Sequence, residues 1–331
     1  MSQQSKWESW QRGCAFLGVR HAVLGGAMSW LSERHLVSAI SNAGGFGVLA
    51  GGGMPVELLR SEIRATRERT AEPFGVNLIT MHPELAALVQ MVAEEGVTHC
   101  ILAGGLPEQE TMRALKDAGV KVVVFAPSLA LGQRLIRRGA DALIIEGHEA
   151  GGHVGPVSTN ILVQEILYHV TSVPVFVAGG IGSGRMVASL VAMGAAGCQL
   201  GTRFVCASEC IAHDNFKQAF LRAQARDAVV TAQFDPVLPV IPVRALVNKG
   251  TALFNQKQLA LIEEVKAGRK ERKDALLELE HFWVGALRRA AIDGDVEQGS
   301  VMAGQSVGMV KAIQPVAEII QELVAEILAA A

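Results

Sequence analysis

Short apolar runs that alternate with amphipathic stretches fill the first two-thirds of the sequence, and they constrain the fold more than any other feature. Eight such runs occur, at residues 20–26, 46–51, 74–79, 98–103, 121–126, 141–146, 174–179 and 197–202. The runs are largely apolar throughout, which is typical of parallel strands buried on both faces. The pattern therefore predicts a parallel sheet whose strands are joined by helices.

The stretches between the runs have the spacing of amphipathic helices. They lie at about 32–43, 55–70, 83–95, 108–118, 128–138, 158–171, 184–194 and 208–225. Several end in a glycine just before the next run, as at Gly44 and Gly119, where glycine forms the left-handed cap of a helix. Eight βα units within about 225 residues match a closed (β/α)8 TIM barrel. A doubly wound open sheet of eight strands is the alternative.

The pattern changes after residue 226. Prolines recur every third residue within residues 234–244, which favours an extended segment. Residues 254–267 and 271–291 have helical periodicity, and residues 293–309 are rich in glycine. Pro315 is predicted to open a final helix.

These patterns predict two domains of the α/β class. The barrel spans residues 1–226, and the C-terminal helix 311–331 packs back on it. Residues 227–310 form a smaller, mostly helical cap, which we expect to lie over the barrel mouth, where active sites of this fold occur.

Charge and cysteine content exclude several classes of protein. The chain carries 30 basic and 32 acidic residues, a net charge of −2, whereas a chain that binds nucleic acid carries a basic excess. Five scattered cysteines do not form a disulfide scaffold. Residues 1–14 lack the apolar core of a signal peptide, and glycines or proline interrupt the longest uncharged stretches. We therefore expect a cytoplasmic protein that binds neither nucleic acid nor membrane.

Glycines and polar residues cluster where the predicted strands end, as expected for the active site of a barrel. These positions are Gly26, Ala27, Met28, Asn77, Glu146, Gly179, Gly180, Gly201 and Thr202. Glycines that precede a helix leave backbone N–H groups free to bind a phosphate, and they follow both strand 7 and strand 8. No glycine cluster has the position and spacing of a dinucleotide fingerprint. A flavin mononucleotide (FMN), with one phosphate and a flat ring, therefore fits better than a dinucleotide.

The connection after strand 6, residues 146–155, is the most informative segment. It contains two carboxylates, two histidines and four glycines. His153 lies among glycines, so its imidazole is a candidate to move a proton or to hold an anionic substrate. Glu146 is a candidate to accept hydrogen bonds from a ribityl chain, the alternative being a structural pairing with Arg203 or a backbone amide. The histidine and cysteine spacings do not match a metal site, so no metal is expected.

The Glu-Ala-Gly-Gly-His block at 149–153, together with Gly-Thr-Arg-Phe at 201–204, resembles the FMN-dependent nitronate monooxygenases. The flavin-type enoyl-acyl-carrier-protein reductases are similar to the same degree, and residues 300–305 (Ser-Val-Met-Ala-Gly-Gln) belong to the matching pattern. The resemblance covers nearly the whole chain and implies a (β/α)8 barrel with FMN at its mouth.

The resemblance also implies roles for individual residues. Gly26, Ala27 and Met28 would pass beside the isoalloxazine ring, and Asn77 and Glu146 would contact the ring or the ribityl hydroxyls. Gly151 and Gly152 would approach the edge of the ring, and His153 would be the catalytic histidine. The phosphate would be bound by Gly179, Gly180, Gly201 and Thr202. One departure is that some relatives place a lysine near the end of strand 5, where this chain has 125–128, Phe-Ala-Pro-Ser.

Two reactions are compatible with this resemblance. The favoured one is oxidation of an alkyl nitronate with O₂ to a carbonyl compound and nitrite. The alternative is reduction of an enoyl thioester or a quinone with NAD(P)H. The tail 294–310 favours the reductases, while the proline-rich segment 236–244 departs from them. A barrel that binds a phosphate ligand without turnover is a third hypothesis. The expected partners are a small-molecule substrate and O₂, and a homodimer is possible.

Overall fold

The computed structural model describes residues 7–330. Residues 1–6 and Ala331 lie outside this range. Residues 1–6 belong to the segment in which no signal peptide was expected, and Ala331 is the last residue of the predicted final helix. The described residues form two compact units. The first contains the chain up to His148, Val157–Ile211 and the residues from Ile313 onward, and the second contains Glu149–Pro156 and Ala212–Ala312.

Eight parallel strands make up the sheet of the first unit. They are β1 (Val23–Gly25), β2 (Gly47–Ala50), β3 (Phe74–Ile79), β4 (His99–Ala103), β5 (Lys121–Phe125), β6 (Ala142–Glu146), β8 (Val175–Ala178) and β9 (Gly197–Leu200). Their order is β1-β9-β8-β6-β5-β4-β3-β2. Gly25 N–H donates to Phe46 O (2.9 Å) and Phe46 N–H donates to Val23 O (2.8 Å), which joins β1 to the start of β2. The fold is a (β/α)8 barrel, as predicted, and all eight predicted strands are present.

Ten helices accompany these strands in the described part of the first unit. They are α1 (Glu8–Leu17), α2 (Arg34–Asn42), α3 (Val56–Arg67), α4 (Leu85–Glu94), α5 (Gln109–Asp117), α6 (Leu129–Arg137), α7 (Thr159–Ile166), α8 (Gly184–Ala192), α9 (Thr202–Val205) and α13 (Val316–Ala329). The helix predicted over 208–225 is confirmed in part, as a shorter helix at Asp214–Arg222 that belongs to the second unit. In the first unit the short α9 follows β9, and α13 packs between α8 and α2 in the position of an eighth barrel helix.

Helices α8 and α13 approach until their backbones touch. A side chain at Gly184 would overlap the carbonyl oxygen of Leu323, so only glycine permits this contact. The N–H of Gly184 donates to the Glu326 carboxylate (2.6 Å), which satisfies one of the free donors at the start of α8. These contacts fix the C-terminal helix to the barrel.

Helix α1 packs at the amino-terminal ends of the strands. The carbonyl oxygen of Phe16 accepts from Nε2 of His99 (2.9 Å) and from Nζ of Lys121 (2.5 Å), which lie at the starts of β4 and β5. Burial lowers the pKa of His99 to about 4, so its imidazole is neutral and serves the packing of this end. The sequence pattern does not predict this helix.

The second unit combines a helical hairpin with a small sheet. Its helices are α10 (Asp214–Arg222), α11 (Lys249–Lys266) and α12 (Arg272–Ala291), and its strands are β7 (Gly152–His153), β10 (Ala228–Val230) and β11 (Val243–Leu246). The strands pair antiparallel in the order β10-β11-β7. A hydrophobic cluster, which includes Val243, Phe254, Leu279 and Trp283, joins the sheet to the hairpin.

The units divide at 211/212 and 312/313, whereas the sequence pattern predicts 226/227 and 310/311. Helix α10 belongs to the second unit because its start is bound there. His213 N–H donates to Ala291 O (2.8 Å), and the Asn215 amide donates to Gly294 O (3.1 Å). Residues 149–156 also belong to the second unit, although the sequence pattern places them with the barrel.

Within residues 7–330, none of the helices combines the length and apolarity needed to cross a bilayer.

Candidate active site

The carboxyl ends of the barrel strands bring nine of the twelve predicted site residues to one end of the first unit. Strands β1 and β9 are neighbours, and Gly26 N–H donates to Leu200 O (2.8 Å). A side chain at Gly201 would lie 3.5 Å from Sδ of Met28. The segments 26–28 and 201–202 therefore lie side by side at the ends of β1 and β9.

Ser32 fixes the turn that carries Met28. Its hydroxyl donates to Gly26 O (2.9 Å) and accepts from the N–H of Met28 (2.9 Å). Ser32 is buried, whereas Ala27 and Met28 are partly exposed at the strand ends. Ser32 is not among the predicted site residues, although serine hydroxyls commonly bond to the backbone of a turn.

Glu146 ends β6, where its Cα pairs with that of Ala178 in β8. Its carboxylate has no hydrogen bond or ion pair with any residue of the described chain, and burial raises its pKa to about 7. Arg203 instead donates to Gln314 and lies 3.9 Å from the Glu322 carboxylate. The alternative of a structural pair between Glu146 and Arg203 is therefore not found within residues 7–330.

Gly179 and Gly180 form a tight turn after β8. Both adopt left-handed backbone conformations, with φ of +88° and +73°. The Thr159 hydroxyl holds the turn by donating to Gly179 O (2.9 Å). The N–H groups of Gly180, Ile181 and Gly182 have no acceptor among the described residues. Three free donors just before the start of α8 are suited to an anion such as a phosphate.

Asn77 is 8% exposed on β3. Its amide donates to Ile101 O of the neighbouring strand (3.0 Å), which fixes the orientation of the side chain. The amide oxygen then faces away from this bond and is free to accept from a ligand.

These residues fit a phosphorylated cofactor that carries hydroxyl groups, as a flavin nucleotide does. The unpartnered Glu146 carboxylate is a strong acceptor for hydroxyl groups, and the 180–182 turn supplies donors for a phosphate. Among residues 7–330, no group of three or more His, Cys, Asp or Glu side chains is arranged to bind a metal.

The remaining three predicted residues, Gly151, Gly152 and His153, lie together in the second unit. Their loop is fixed at both ends, because Glu149 O accepts from Gln305 N–H (2.9 Å) and Val154 N–H donates to Pro242 O (3.0 Å). Between these bonds, β7 pairs with β11, with Gly152 opposite Arg244 and His153 opposite Val243.

Gly151 contacts the backbone of the segment 300–305. A side chain at Gly151 would lie 2.5 Å from Gly304 N and 2.6 Å from the carbonyl carbon of Ala303. Two segments that the sequence marks as parts of one pattern, 149–153 and 300–305, are thus in direct contact. Only glycine at 151 permits this approach.

His153 has an exposed side chain, with 55% of its surface accessible. Its Nε2 lies 3.6 Å from Oε2 of Glu280 in α12. Glu280 was not predicted, because no periodicity or motif links two residues so far apart in the chain.

A cavity of about 500 Å³ lies in another part of the first unit. It is bordered by α2, through His35 and Asn42, and by residues 208–211, and it contains none of the predicted site residues.

A (β/α)8 barrel whose strand ends carry a turn with free N–H groups and an unpartnered carboxylate is typical of barrel enzymes that bind a cofactor. The chain matches the nitronate monooxygenase family over residues 11–90 and 84–326. It is 31% identical to a (3aS,4S,5R,7aS)-5-hydroxy-7a-methyl-1-oxo-octahydro-1H-indene-4-carboxyl-CoA dehydrogenase of Mycobacterium tuberculosis, with 93% of each chain covered. It is 26% identical to a probable nitronate monooxygenase of Staphylococcus aureus, with 88% of this chain and 90% of that one covered. Among solved structures, FabK of Thermotoga maritima superposes with a TM-score of 0.85 at 36% identity and covers 96% of both chains.

The chain therefore belongs to the nitronate monooxygenase family. It is an enzyme, a flavin-dependent oxidoreductase, and the hypothesis of a barrel that binds a phosphate ligand without turnover is wrong.

Proposed function

We propose that this enzyme uses FMN and NAD(P)H to reduce the carbon–carbon double bond of an enoyl thioester. The observation that carries the proposal is the contact of Gly151 with Ala303 and Gly304. The segment 300–305 belongs to the tail that favours the reductases, and it shapes the loop that carries His153. The tail therefore contacts the loop of the candidate catalytic histidine, and its resemblance bears on the reaction.

The relatives above 30% identity support the same substrate class. The Mycobacterium tuberculosis relative is named as a dehydrogenase of a carboxyl-CoA, which is a thioester. FabK is an enoyl-acyl-carrier-protein reductase, and its substrates are thioesters as well. This weighs against nitronate oxidation, which we favoured from the sequence alone.

The residues of the barrel would hold the cofactor. The N–H groups of 180–182 would bind a single phosphate, which favours FMN over a dinucleotide. Glu146 would accept a hydrogen bond from a ribityl hydroxyl, and the amide oxygen of Asn77 would accept from the ring or the ribityl chain. A bound flavin supplies hydride transfer from a nicotinamide to the substrate's β-carbon. His153 would donate a proton to the α-carbon, so that hydride and proton together saturate the double bond.

Nitronate oxidation is the second candidate. It is supported by the family's name and by the Staphylococcus aureus relative. In this reaction His153 would bind beside the anionic nitronate, and O₂ would be the final electron acceptor. NAD(P)H would have no role.

An anaerobic experiment separates the two candidates. The purified enzyme is mixed with NADH, NADPH or propyl-1-nitronate, and flavin absorbance is followed. We expect NADH or NADPH to bleach the flavin, and crotonyl-CoA added afterwards to restore its colour. Bleaching by nitronate alone would favour the second candidate and contradict the first. Reoxidation by a quinone but not by crotonyl-CoA would assign the reductase a quinone substrate.

A further inference from the structure

We infer that Glu280 is the positioning residue of His153, which holds the imidazole with Nε2 toward the Glu280 carboxylate and leaves Nδ1 for the substrate. The inference rests on the proposed function insofar as His153 moves the proton of the reaction. The relation between the two side chains is independent of that reaction, and both lie within the second unit.

The small sheet decides which way His153 points. Directly opposed residues of an antiparallel pair place their side chains on the same face, and His153 lies opposite Val243. Val243 is fully buried in the cluster that contains Leu279 of α12. The face that carries His153 is therefore the face turned toward α12, where Glu280 follows Leu279.

The next residue along β11 points the other way. Arg244 donates to Ala228 O (2.6 Å), and its charge interacts with Glu149. Because side chains alternate along a strand, the Arg244 cation lies on the face opposite to His153. The nearest charged residue before Glu280 on α12 is Glu278, which is bound by Lys257 and Lys270 at 2.5 Å each. Glu280 is thus the carboxylate of this part of α12 that contacts the imidazole, with Oε2 at 3.6 Å from Nε2 of His153.

This geometry has a chemical consequence. A carboxylate next to one ring nitrogen favours the proton on that nitrogen, so the neutral ring carries its proton on Nε2. When the ring is an imidazolium, both nitrogens carry a proton, and Nδ1 gives its proton to the α-carbon. This step leaves the neutral ring protonated on Nε2 beside Glu280, and Nδ1 afterwards takes a proton back from solvent. Loss of the carboxylate frees the ring to rotate and to change tautomer, which removes Nδ1 from its position without removing the imidazole.

The test compares Glu280→Ala, Glu280→Gln and a matched control, Asp274→Asn, which alters an exposed carboxylate of the same helix. Nitrogen-15 NMR reports the tautomer of His153 without any substrate, and His153→Asn identifies its signals. Stopped-flow absorbance reports flavin reduction by NAD(P)H and reoxidation by crotonyl-CoA as separate steps.

We expect the wild-type spectrum to show the His153 ring protonated at Nε2, and the Glu280→Ala spectrum to show a mixture of the two tautomers. It should slow reoxidation by about 10-fold with reduction unchanged. Glu280→Gln keeps an acceptor and should recover part of the rate, and Asp274→Asn should match the wild type. An unchanged tautomer in Glu280→Ala, or equal slowing of both steps, would overturn the inference. If Glu280→Ala changes the tautomer but crotonyl-CoA does not reoxidise the wild-type enzyme, the positioning role stands and the proposed reaction is rejected.

Discussion

Gly147 and Gly179, which directly follow the neighbouring strands β6 and β8, are in backbone contact at the end of the barrel. A side chain at Gly179 would lie 2.7 Å from Gly147 O, and one at Gly147 would overlap Thr159. Thr159 in turn donates to Gly179 O. The contact of Gly147, Thr159 and Gly179 leaves no space for a methyl group. It holds the unpartnered carboxylate of Glu146 next to the turn with free N–H groups.

Substitution at this contact should disrupt the cofactor site. In Gly147→Ala the new methyl group must displace Thr159 and the turn after β8, at a cost of about 1–3 kcal/mol for overpacking. We expect lower thermal stability and loss of bound flavin, measured by differential scanning calorimetry and by absorbance after gel filtration. Gly53→Ala is the matched control, because a side chain there meets no atom within 4 Å. Normal flavin content in Gly147→Ala would contradict the assignment of this end.

The titration of Glu146 should appear in the stability of the flavin-free protein. Its pKa is about 7 in the folded state and 4.5 in the reference state, so between these pH values the unfolded chain has lost a proton that the folded chain keeps. Stability then falls as pH rises, by at most about 1.4 kcal/mol per pH unit, and levels off above the folded pKa. Because the side chain is partly exposed, we expect a total loss of about 2 kcal/mol.

Urea unfolding of the flavin-free protein at pH 5, 6, 7 and 8 measures this effect. Glu146→Gln removes the titrating group and keeps the shape of the side chain. Between pH 5 and pH 7, the unfolding free energy of the wild type should therefore fall relative to that of the variant. A difference that is constant with pH would show that Glu146 is ionised in the folded protein throughout this range.

Removal of the His153 imidazole should separate cofactor binding from turnover. None of the barrel contacts described above involves this side chain, so flavin content in His153→Ala should equal that of the wild type. Loss of a general acid lowers turnover by about 10²–10⁴-fold. His281→Ala, which removes an exposed imidazole from α12, is the control and should retain full activity. Wild-type turnover in His153→Ala would contradict the role of His153 as the general acid.

The approach of Gly151 to Gly304 can be tested in the same loop. Gly151→Ala places a methyl group 2.5 Å from Gly304 N, so the loop must shift and displace His153. We expect a fall in kcat of about 10-fold or more, since misplacement by about 1 Å costs about 10²-fold. Gly155→Ala is the control, because a side chain there has open space. If both variants have equal kcat, the contact does not position the catalytic loop.

Local patterns were enough to predict the barrel. The strands of a parallel barrel are apolar over their length, and each pairs with a neighbour that comes close in chain order, so the eight runs predicted β1–β6, β8 and β9. The exception was the eighth helix. Residues 208–225 have helical periodicity, but α10 within them is bound to Ala291 and Gly294, and α13 takes the outer position. Periodicity describes the face of a helix and not the element it packs against.

The sequence by itself determined the fold class, the strand ends that carry polar residues and the glycine-bounded histidine, because each depends on residues close together in the chain. Only the tertiary structure decided that Glu146 has no partner, that Gly151 touches Gly304 and that Glu280 faces His153. These relations join residues that are distant in the chain. They are set by strand pairing and helix packing, which bring such residues together only when the chain is folded.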